Sequence, residues 1–172
     1  MMTTVDIGDG PTSPTTRYYG FALRLAFRYI GNMEKALAVT RDVLTRMNQE
    51  NISINSEASY PRIQQLLINT SIFEALRSKN PVANTHPDIW EMPDDKEARE
   101  QAIFYRDLIL LLISLPLLPR LLYNLCGIDG WPPAKAAVRL GISPSRAKTL
   151  LAKTRTMLKK KIKEIPMTKK LQ

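Results

Sequence analysis

The spacing of the apolar residues is the feature that most constrains how this chain folds. Outside its loops, apolar residues recur every three or four positions, which is the period of an α-helix. Three such segments lie near the N-terminus, at residues 17–30, after Asn32 and at residues 60–78. Their predicted inward faces are Phe21, Ala22, Leu25, Ala26 and Ile30; then Ala36, Thr40, Val43, Leu44 and Met47; then Ile63, Leu66, Leu67, Thr70 and Phe73. No alternation of useful length indicates a β-strand, so the sequence predicts an all-α fold.

A second set of helices is predicted beyond residue 97, where prolines and glycines mark the boundaries. We expect a long helix over Ala98–Leu115 and a second helix near Leu117–Cys126. A short helix is then expected over Pro133–Leu140, because proline is well tolerated in a first helical turn. The last long helix is expected to begin at Pro144.

The apolar run Leu108–Leu125 contains two prolines, a serine and Arg120. A membrane span needs about 20 predominantly apolar residues, so this run predicts two buried helices and no membrane insertion. The polar N-terminus shows no signal peptide, and the single cysteine, Cys126, excludes an internal disulfide framework. We expect a soluble, cytoplasmic protein in which Cys126 is a buried thiol.

Residues 80–97 divide the chain into two small helical domains. Pro81, Pro87 and Pro93 block a helix there, and five carboxylates make the stretch acidic. This stretch is either an ordinary interdomain linker or a binding segment that Trp90 anchors to a surface. The predicted organisation is a flexible N-terminal arm (1–16), a first helical domain (17–79), the linker (80–97), a second helical domain (98–165) and a basic tail (166–172).

The positive charge is concentrated at one end of the chain. The whole chain carries a formal net charge of +9. Residues 131–172 hold twelve Lys and Arg against the single acid Glu164, a net charge of +11, whereas the other 130 residues sum to −2. Such asymmetry indicates a surface that binds a polyanion, although a charge run by itself is usually only a solvated face.

The segment 133–165 has the parts of a helix-turn-helix. Its first helix is rich in alanine, which lets another helix cross it closely. Gly141 suits the left-handed residue that ends a helix, and Ile142 fills the corner between the helices. Ser143 is a good N-cap and Pro144 suits the first helical position of the next helix. The sequence therefore predicts a tight turn and a long basic helix.

The outward positions of that long helix are the candidate DNA-binding residues. Its N-terminal residues are expected to reach base edges in the major groove, and the residues farther along are expected to meet phosphates. The competing interpretation is an amphipathic bundle helix with a solvated basic face. The candidates for base contact are Ser145, Arg146, Lys148 and Thr149, and those for phosphate contact are Lys153, Arg155 and Lys159.

The order of features in the second domain forms a larger pattern. Leu115 and Pro116 are followed by Arg120, a glycine before the alanine-containing helix, then Gly141-Ile142-Ser143 and the basic helix. This order resembles region 4 of bacterial sigma factors. The closest class is the compact extracytoplasmic-function (ECF) sigma factors, which have two helical domains and a short linker.

The N-terminal domain resembles sigma region 2 in outline. The helix after Asn32 resembles the helix that docks on the polymerase clamp. Residues 60–79 resemble the helix of regions 2.3 and 2.4, with Glu74 and Arg77 matching its acidic-x-x-Arg pair. The resemblance implies that Arg41 and Asp42 contact the polymerase clamp and that Arg62, Glu74 and Arg77 contribute to −10 recognition.

Taken over the whole chain, the resemblance implies that the protein assembles with RNA polymerase on promoter DNA. The long basic helix would read the −35 element, and the acidic linker would thread into polymerase channels that hold nucleic acid. The implied partners are double-stranded promoter DNA, core RNA polymerase and an anti-sigma protein. No cofactor, metal or small-molecule substrate is implied.

Three departures from the family pattern keep an alternative open. Ala38 and Arg41 stand where the family usually has Asp and Gln, and Ile63 stands where it has Trp. Lys135 and the two alanines after it replace the usual Glu-Ile-Ala. The alternative is a sigma-like protein that no longer initiates transcription and acts as an anti-sigma decoy or a stand-alone DNA-binding regulator.

An enzyme is not expected. The one histidine, His86, precedes Pro87 in the linker, and no second histidine or cysteine cluster could complete a metal site. No phosphate-binding glycine loop or nucleophile motif occurs. The sequence thus predicts no catalytic residues and no metal ligands.

Overall fold

The computed structural model describes residues 14–53, 56–78 and 94–165, with side chains from residue 18 onward, and every regular element in these ranges is helical. The all-α fold class is therefore confirmed for this part of the chain. Residues 79–93, with His86 and Trp90, and the tail 166–172 lie outside the described residues. The α-helices are α1 (Pro14–Ile30), α2 (Met33–Gln49), α3 (Tyr60–Arg77), α4 (Lys96–Ile113), α5 (Leu117–Tyr123), α6 (Pro133–Leu140) and α7 (Pro144–Ile162).

Two helices begin earlier than predicted. Helix α1 begins at Pro14, so the last three residues of the predicted N-terminal arm are helical. Helix α4 begins at Lys96, inside the predicted linker, because the Asp95 carboxylate accepts a hydrogen bond from the backbone N–H of Ala98 at 2.9 Å and caps the helix. Each shift lengthens a helix at its N-terminal end.

Helices α1, α2 and α3 pack on one another and form the N-terminal half of the core. Helix α1 ends at Gly31, whose φ of 73° is left-handed. Helix α2 follows at once, because the Asn32 side chain accepts a hydrogen bond from the backbone N–H of Lys35 at 3.1 Å. The apolar faces of α1 and α2 thus meet across a two-residue connection, whereas ten residues separate α2 from α3.

Two predicted core positions in this half are wrong. Phe21 is 44% exposed and Phe73 is 65% exposed. Helix α3 buries the predicted Ile63 and Leu67, but its buried row continues through Ile72 and not through Phe73. Its sequence is apolar over more of its circumference than one packing face can cover, so periodicity alone selected the neighbouring row of residues.

The C-terminal half is a second group of packed helices. Helix α5 contacts both α6 and α7, and α6 packs on α7. The helix that we predicted to continue to Cys126 changes at Tyr123 into a π-helical turn, Asn124–Ile128. Cys126 is half-buried rather than fully buried, and burial raises the pKa of its thiol.

The two halves contact each other. Helix α1 packs on α4, and α3 packs on α5. The division into two domains joined by a linker stays a prediction. Among the described residues, no helix combines the length and the apolar character that crossing a bilayer would require.

Candidate nucleic-acid interface

The turn between α6 and α7 has the geometry that its glycine predicts. Gly141 has φ 66° and ψ 33°, which is the left-handed conformation. The backbone N–H of Ile142 donates to the carbonyl of Ala137 at 3.1 Å, and the N–H of Gly141 donates to Val138 at 3.2 Å. This pair of bonds is a Schellman motif, which satisfies the last carbonyls of α6 and reverses the chain sharply.

Helix α7 begins with a side-chain cap. The Ser143 hydroxyl accepts a hydrogen bond from the backbone N–H of Arg146 at 3.2 Å, and Pro144 occupies the first turn. The cap satisfies one of the N–H groups that no carbonyl of the helix can reach. The first turn of α7, which carries Ser145 and Arg146, is therefore fixed by local chemistry.

One face of α7 is anchored in the core. Ala147, Leu151, Thr154 and Leu158 are buried against α5 and α6, and the Thr154 hydroxyl donates to the Leu150 carbonyl at 2.8 Å. A helix held along one buried stripe presents its other residues in a defined order. The buried stripe thus determines which side chains of α7 face solvent.

All seven predicted DNA-binding residues are exposed on α7. Successive helical residues are about 100° apart around the axis, so the strip opposite the buried one is occupied by small side chains. The small residues of this strip are Ser145, Thr149, Ala152 and Thr156. Basic residues flank the strip, with Lys148, Arg155 and Lys159 on one side and Arg146, Lys153 and Lys160 on the other. A helix with a narrow outer edge and cations on both sides fits a groove between two rows of phosphates.

The basic residues of α7 form no ion pairs with the described acidic residues. Helix α7 contains seven Lys and Arg and no Asp or Glu. Among the described residues, none of these seven forms a salt bridge, since every ion pair found lies elsewhere in the chain. Their charges are therefore available to an external anion.

Helix α6 adds two cations that sequence reasoning did not assign. The Lys135 ammonium lies 4.1 Å from the centre of the Trp131 ring, a cation–π contact. The Arg139 guanidinium donates to the backbone carbonyl of Asn69 in α3 at 3.2 Å. In the sequence, the net charge of +11 of residues 131–172 was the signal that included Lys135 and Arg139 in a polyanion-binding surface.

The predicted −10 residues are engaged in contacts within the chain. The Arg62 guanidinium donates to the Glu50 carboxylate at 2.7 Å, and Arg77 donates to Glu74 at 2.8 Å. Glu74 also accepts a hydrogen bond from Ser78 at 2.8 Å. Partial burial acts to raise the pKa of Glu74, but these hydrogen bonds and the nearby cations lower it overall.

The structure does not bring the region-2 candidates into one site. Arg62 lies in the first turn of α3 and Glu74 lies 12 residues later, about 18 Å along a helix at 1.5 Å per residue. Arg41 and Asp42 lie on α2, where Asp42 pairs with Arg46 at 3.0 Å. Whether these residues contact polymerase or DNA stays a prediction.

Other chemistries find little support in the described residues. Within them, no group of three His, Cys, Asp or Glu side chains could hold a metal ion. Two clefts of about 190 and 230 Å³ lie beside Tyr105 and Ile128, and apolar side chains form most of their walls. The polar residues that line the first cleft are Arg24, Arg28, Gln64, Tyr105 and Asp129.

No protein-family model matches this chain, and no curated protein matches it. The functional assignment therefore rests on the geometry and charge of α6 and α7.

Proposed function

We propose that the chain is an ECF-type sigma factor whose helix α7 reads the −35 element of a promoter. The observation that carries this proposal is the combination in α7 of a buried stripe, a capped N-terminus and seven cations without an acid or an ion-pair partner among the described residues. The turn before it has the backbone geometry of a helix-turn-helix. The order of motifs in the second domain supports the sigma class.

The proposed mode of binding follows from the layout of α7. The small outer strip lets the helix axis approach the floor of the major groove, where Ser145 and Thr149 can reach base edges. Arg146 and Lys148 flank that strip in the first two turns and can form hydrogen bonds with guanine. Lys153, Arg155 and Lys159 lie farther along the helix and neutralise phosphates, which positions α7 without reading sequence.

In this proposal the N-terminal half binds RNA polymerase and the −10 element. Helix α2, with Arg41 and Asp42, would bind the clamp of core RNA polymerase. Helix α3, with Arg62 and Arg77, would hold the non-template strand of the −10 element. The Arg62–Glu50 ion pair is largely exposed and worth about 1 kcal/mol or less, so a DNA phosphate can replace its carboxylate. In the second pair Arg77 is exposed, whereas its partner Glu74 is only 13% exposed.

In vitro transcription with core RNA polymerase on a promoter library tests this proposal. We expect the purified chain to form a holoenzyme and to direct transcripts from a subset of promoters that share a −35 and a −10 motif. The control is the chain carrying Lys153→Ala, Arg155→Ala and Lys159→Ala, which should still bind polymerase but lose most transcripts. A chain that forms no holoenzyme, or one that initiates without promoter preference, contradicts the proposal.

The second candidate is a sigma-like DNA-binding regulator or anti-sigma decoy. It is favoured by the pairing of Arg62 with Glu50 and of Arg77 with Glu74, together with Ala38 and Arg41 at clamp positions. This candidate predicts binding to duplex DNA, or to an anti-sigma protein, without holoenzyme formation. Co-elution of the chain with core polymerase separates the two candidates.

A further inference from the structure

Helix α4 borders two clefts that share part of their walls. The first cleft has a volume of about 190 Å³ and the second has a volume of about 230 Å³. Arg28, Tyr105, Ile109 and Ile128 line both of them, so the clefts adjoin. Neither reaches the size of an ordinary small-molecule site, about 300 to 1,000 Å³, but together they fall within that range. We call these two adjoining clefts the α4 cleft.

The two ends of the α4 cleft differ in polarity. The first cleft contains polar side chains that the second lacks, among them Arg24 of α1 and Gln64 of α3. Apart from the shared residues, the second cleft is lined by Leu108, Leu111, Leu112, Tyr123, Leu158 and Ile162. A site that is polar at one end and apolar at the other fits an amphipathic molecule.

The polar end has one positive charge that no described carboxylate compensates. The Arg28 guanidinium donates to both oxygens of the Asp129 carboxylate, at 2.8 and 3.0 Å, so these two charges balance. Arg24 lies about one helical turn before Arg28, and its side chain forms no ion pair or hydrogen bond with a described residue. The side-chain amide of Gln64 has no hydrogen-bond partner in the described ranges either. The polar end therefore favours an anion.

The groups at the polar end match a carboxylate. A carboxylate carries one negative charge on two acceptor oxygens, and the donors available to it are one guanidinium and one amide. A phosphate monoester carries more charge and three acceptor oxygens, and it is usually held by a cluster of cations. Arg24 is the one cation of the cleft without a described carboxylate partner, which favours the carboxylate.

Three large apolar side chains of the first cleft are unusually exposed. Phe21, Tyr105 and Ile128 are 44%, 52% and 43% exposed. A hydrocarbon chain in contact with them would remove apolar surface from water, which is favourable. From Tyr105 to Leu112, the part of α4 that lines the cleft extends about 10 Å at 1.5 Å per residue. Octanoate has a similar extended length and is a suitable probe.

We propose that the α4 cleft binds a medium-chain aliphatic carboxylate. The carboxylate lies against Arg24 and Gln64, and the hydrocarbon chain extends past Tyr105 towards Leu108 and Leu111. Helix α7 lines the second cleft only with apolar side chains that do not belong to its row of cations. The site is therefore independent of the proposed DNA binding.

Nuclear magnetic resonance of the full chain, with labelled Ile, Leu and Val methyl groups, tests where octanoate binds. We expect saturable shifts of the methyl signals of Leu108, Leu111 and Ile128, with nuclear Overhauser contacts between either leucine and the terminal methyl group of octanoate. Val39 and Val43 of α2 do not line the cleft and should keep their signals unchanged.

Titration with related ligands tests the two ends of the site separately. Burial of each methylene group strengthens binding about fourfold, so octanoate should bind about fifteenfold more tightly than hexanoate. The compound 1-octanol has the same chain length without the charge. We expect it to bind at least about tenfold more weakly than octanoate, because it lacks the charge-assisted hydrogen bonds of the carboxylate.

Arg24→Gln tests the carboxylate contact. The variant should bind octanoate about tenfold more weakly and should bind 1-octanol as wild type does, a pattern that a purely structural role of Arg24 would not produce. Arg46→Gln is the matched control, because it removes the same charge from an exposed ion pair with Asp42 on α2 and should change neither affinity. If Arg24→Gln does not fold, Gln64→Leu removes the amide donor and should weaken octanoate binding about threefold.

The outcomes that contradict this inference are distinct from those that concern DNA. Octanoate that causes no saturable methyl shift at about 10 mM, or shifts only methyl groups outside the α4 cleft, overturns the site. Equal affinity for octanoate and 1-octanol, or unchanged octanoate affinity in folded Arg24→Gln, overturns the carboxylate as the recognised group. The proposed function of α7 stands or fails independently of these results.

Discussion

The N-terminal half of this protein and helix α7 use their basic side chains differently. In the N-terminal half, Arg28, Arg46, Arg62 and Arg77 each pair with a carboxylate of the same chain. In α7, none of the seven Lys and Arg has a carboxylate partner among the described residues. A paired cation has its charge compensated by the fold, and an unpaired row of cations repels itself. Mutual repulsion in such a row opposes folding, and a bound polyanion would relieve it.

Local composition causes this difference. Residues 17–79 hold nine bases and five acids, whereas α7 holds seven bases and no acid. The acid nearest to α7 in sequence is Glu164, just beyond its C-terminal end. If the difference matters for function, removing unpaired cations of α7 should weaken DNA binding more than removing paired cations of the N-terminal half.

The largest expected loss of DNA affinity comes from removing three cations of α7. The variant Lys153→Ala, Arg155→Ala, Lys159→Ala should bind duplex DNA about a hundredfold more weakly at 0.15 M salt. Each lost phosphate contact lowers the binding constant about fivefold at this salt concentration. The slope of log affinity against log salt concentration should fall by about 2.7. Fluorescence anisotropy at several salt concentrations measures both quantities.

The matched N-terminal variant is Arg41→Ala, Arg62→Ala, Arg77→Ala, which removes the same charge. We expect it to weaken duplex binding by less than about threefold, because two of these cations are already paired and all three lie on α2 and α3. Equal losses in the two triple variants would show that net charge, and not the face of α7, governs binding.

A smaller effect is expected from removing one helix cap in each half. Ser143→Ala and Asn32→Ala each lose a side-chain cap and should each lower the free energy of unfolding by about 1 kcal/mol. Only Ser143→Ala should also weaken DNA binding, by several fold, because its helix turn carries the candidate base contacts. Thermal unfolding and anisotropy on both variants check this. Loss of DNA affinity in Asn32→Ala at a temperature where it is folded would contradict the assignment.

The smallest effect is expected from Tyr18, and it concerns alkaline pH. Burial, with a contribution from Tyr60, raises the pKa of Tyr18 to about 12, and burial also raises the pKa of Tyr29 on the same helix. The unfolded chain loses these protons near pH 10 while the folded chain keeps them, so stability should hold below pH 10 and fall between pH 10 and pH 12. The N-terminal half should therefore weaken first.

Tyr18→Phe is the variant that isolates this contribution. Within the described part of the chain the buried Tyr18 hydroxyl has no hydrogen-bond partner, so its removal should leave the melting temperature at pH 7 unchanged or raise it slightly. The fall in melting temperature between pH 10 and pH 12 should be smaller in the variant. A large loss of stability at pH 7, or an unchanged alkaline profile, would show that the hydroxyl has a partner that the structure does not reveal.

The parts of the fold that the sequence predicted well depend on neighbouring residues. The left-handed Gly141, the Ser143 cap and Pro144 in the first turn of α7 act within one or two turns of the chain, so residue type determines geometry there. The exposed face of α7 followed from the same rule, because one apolar stripe leaves the rest of a helix outside. These signals sufficed to locate the candidate interface.

The parts that the sequence did not predict depend on distant residues. Arg28 and Asp129 are 101 positions apart, and nothing in the local pattern of either residue indicates the other. Phe73 lies on an apolar row of α3 that is as plausible as the buried row, and only the packing of α1 and α2 selects between them. Sequence reasoning used Arg120 as part of a motif, whereas its contacts cap two other helix ends, at Ile113 and Ile30.

The most direct test of the central claim is selection of binding sites from a random duplex library, with wild type and single variants of α7 in parallel. We predict that wild type enriches one motif, that Arg146→Ala and Lys148→Ala change the preferred bases, and that Lys159→Ala retains the motif with weaker binding to every duplex. If wild type enriches no motif, or if all three variants weaken binding equally without changing the preferred bases, α7 is not the helix that reads DNA sequence.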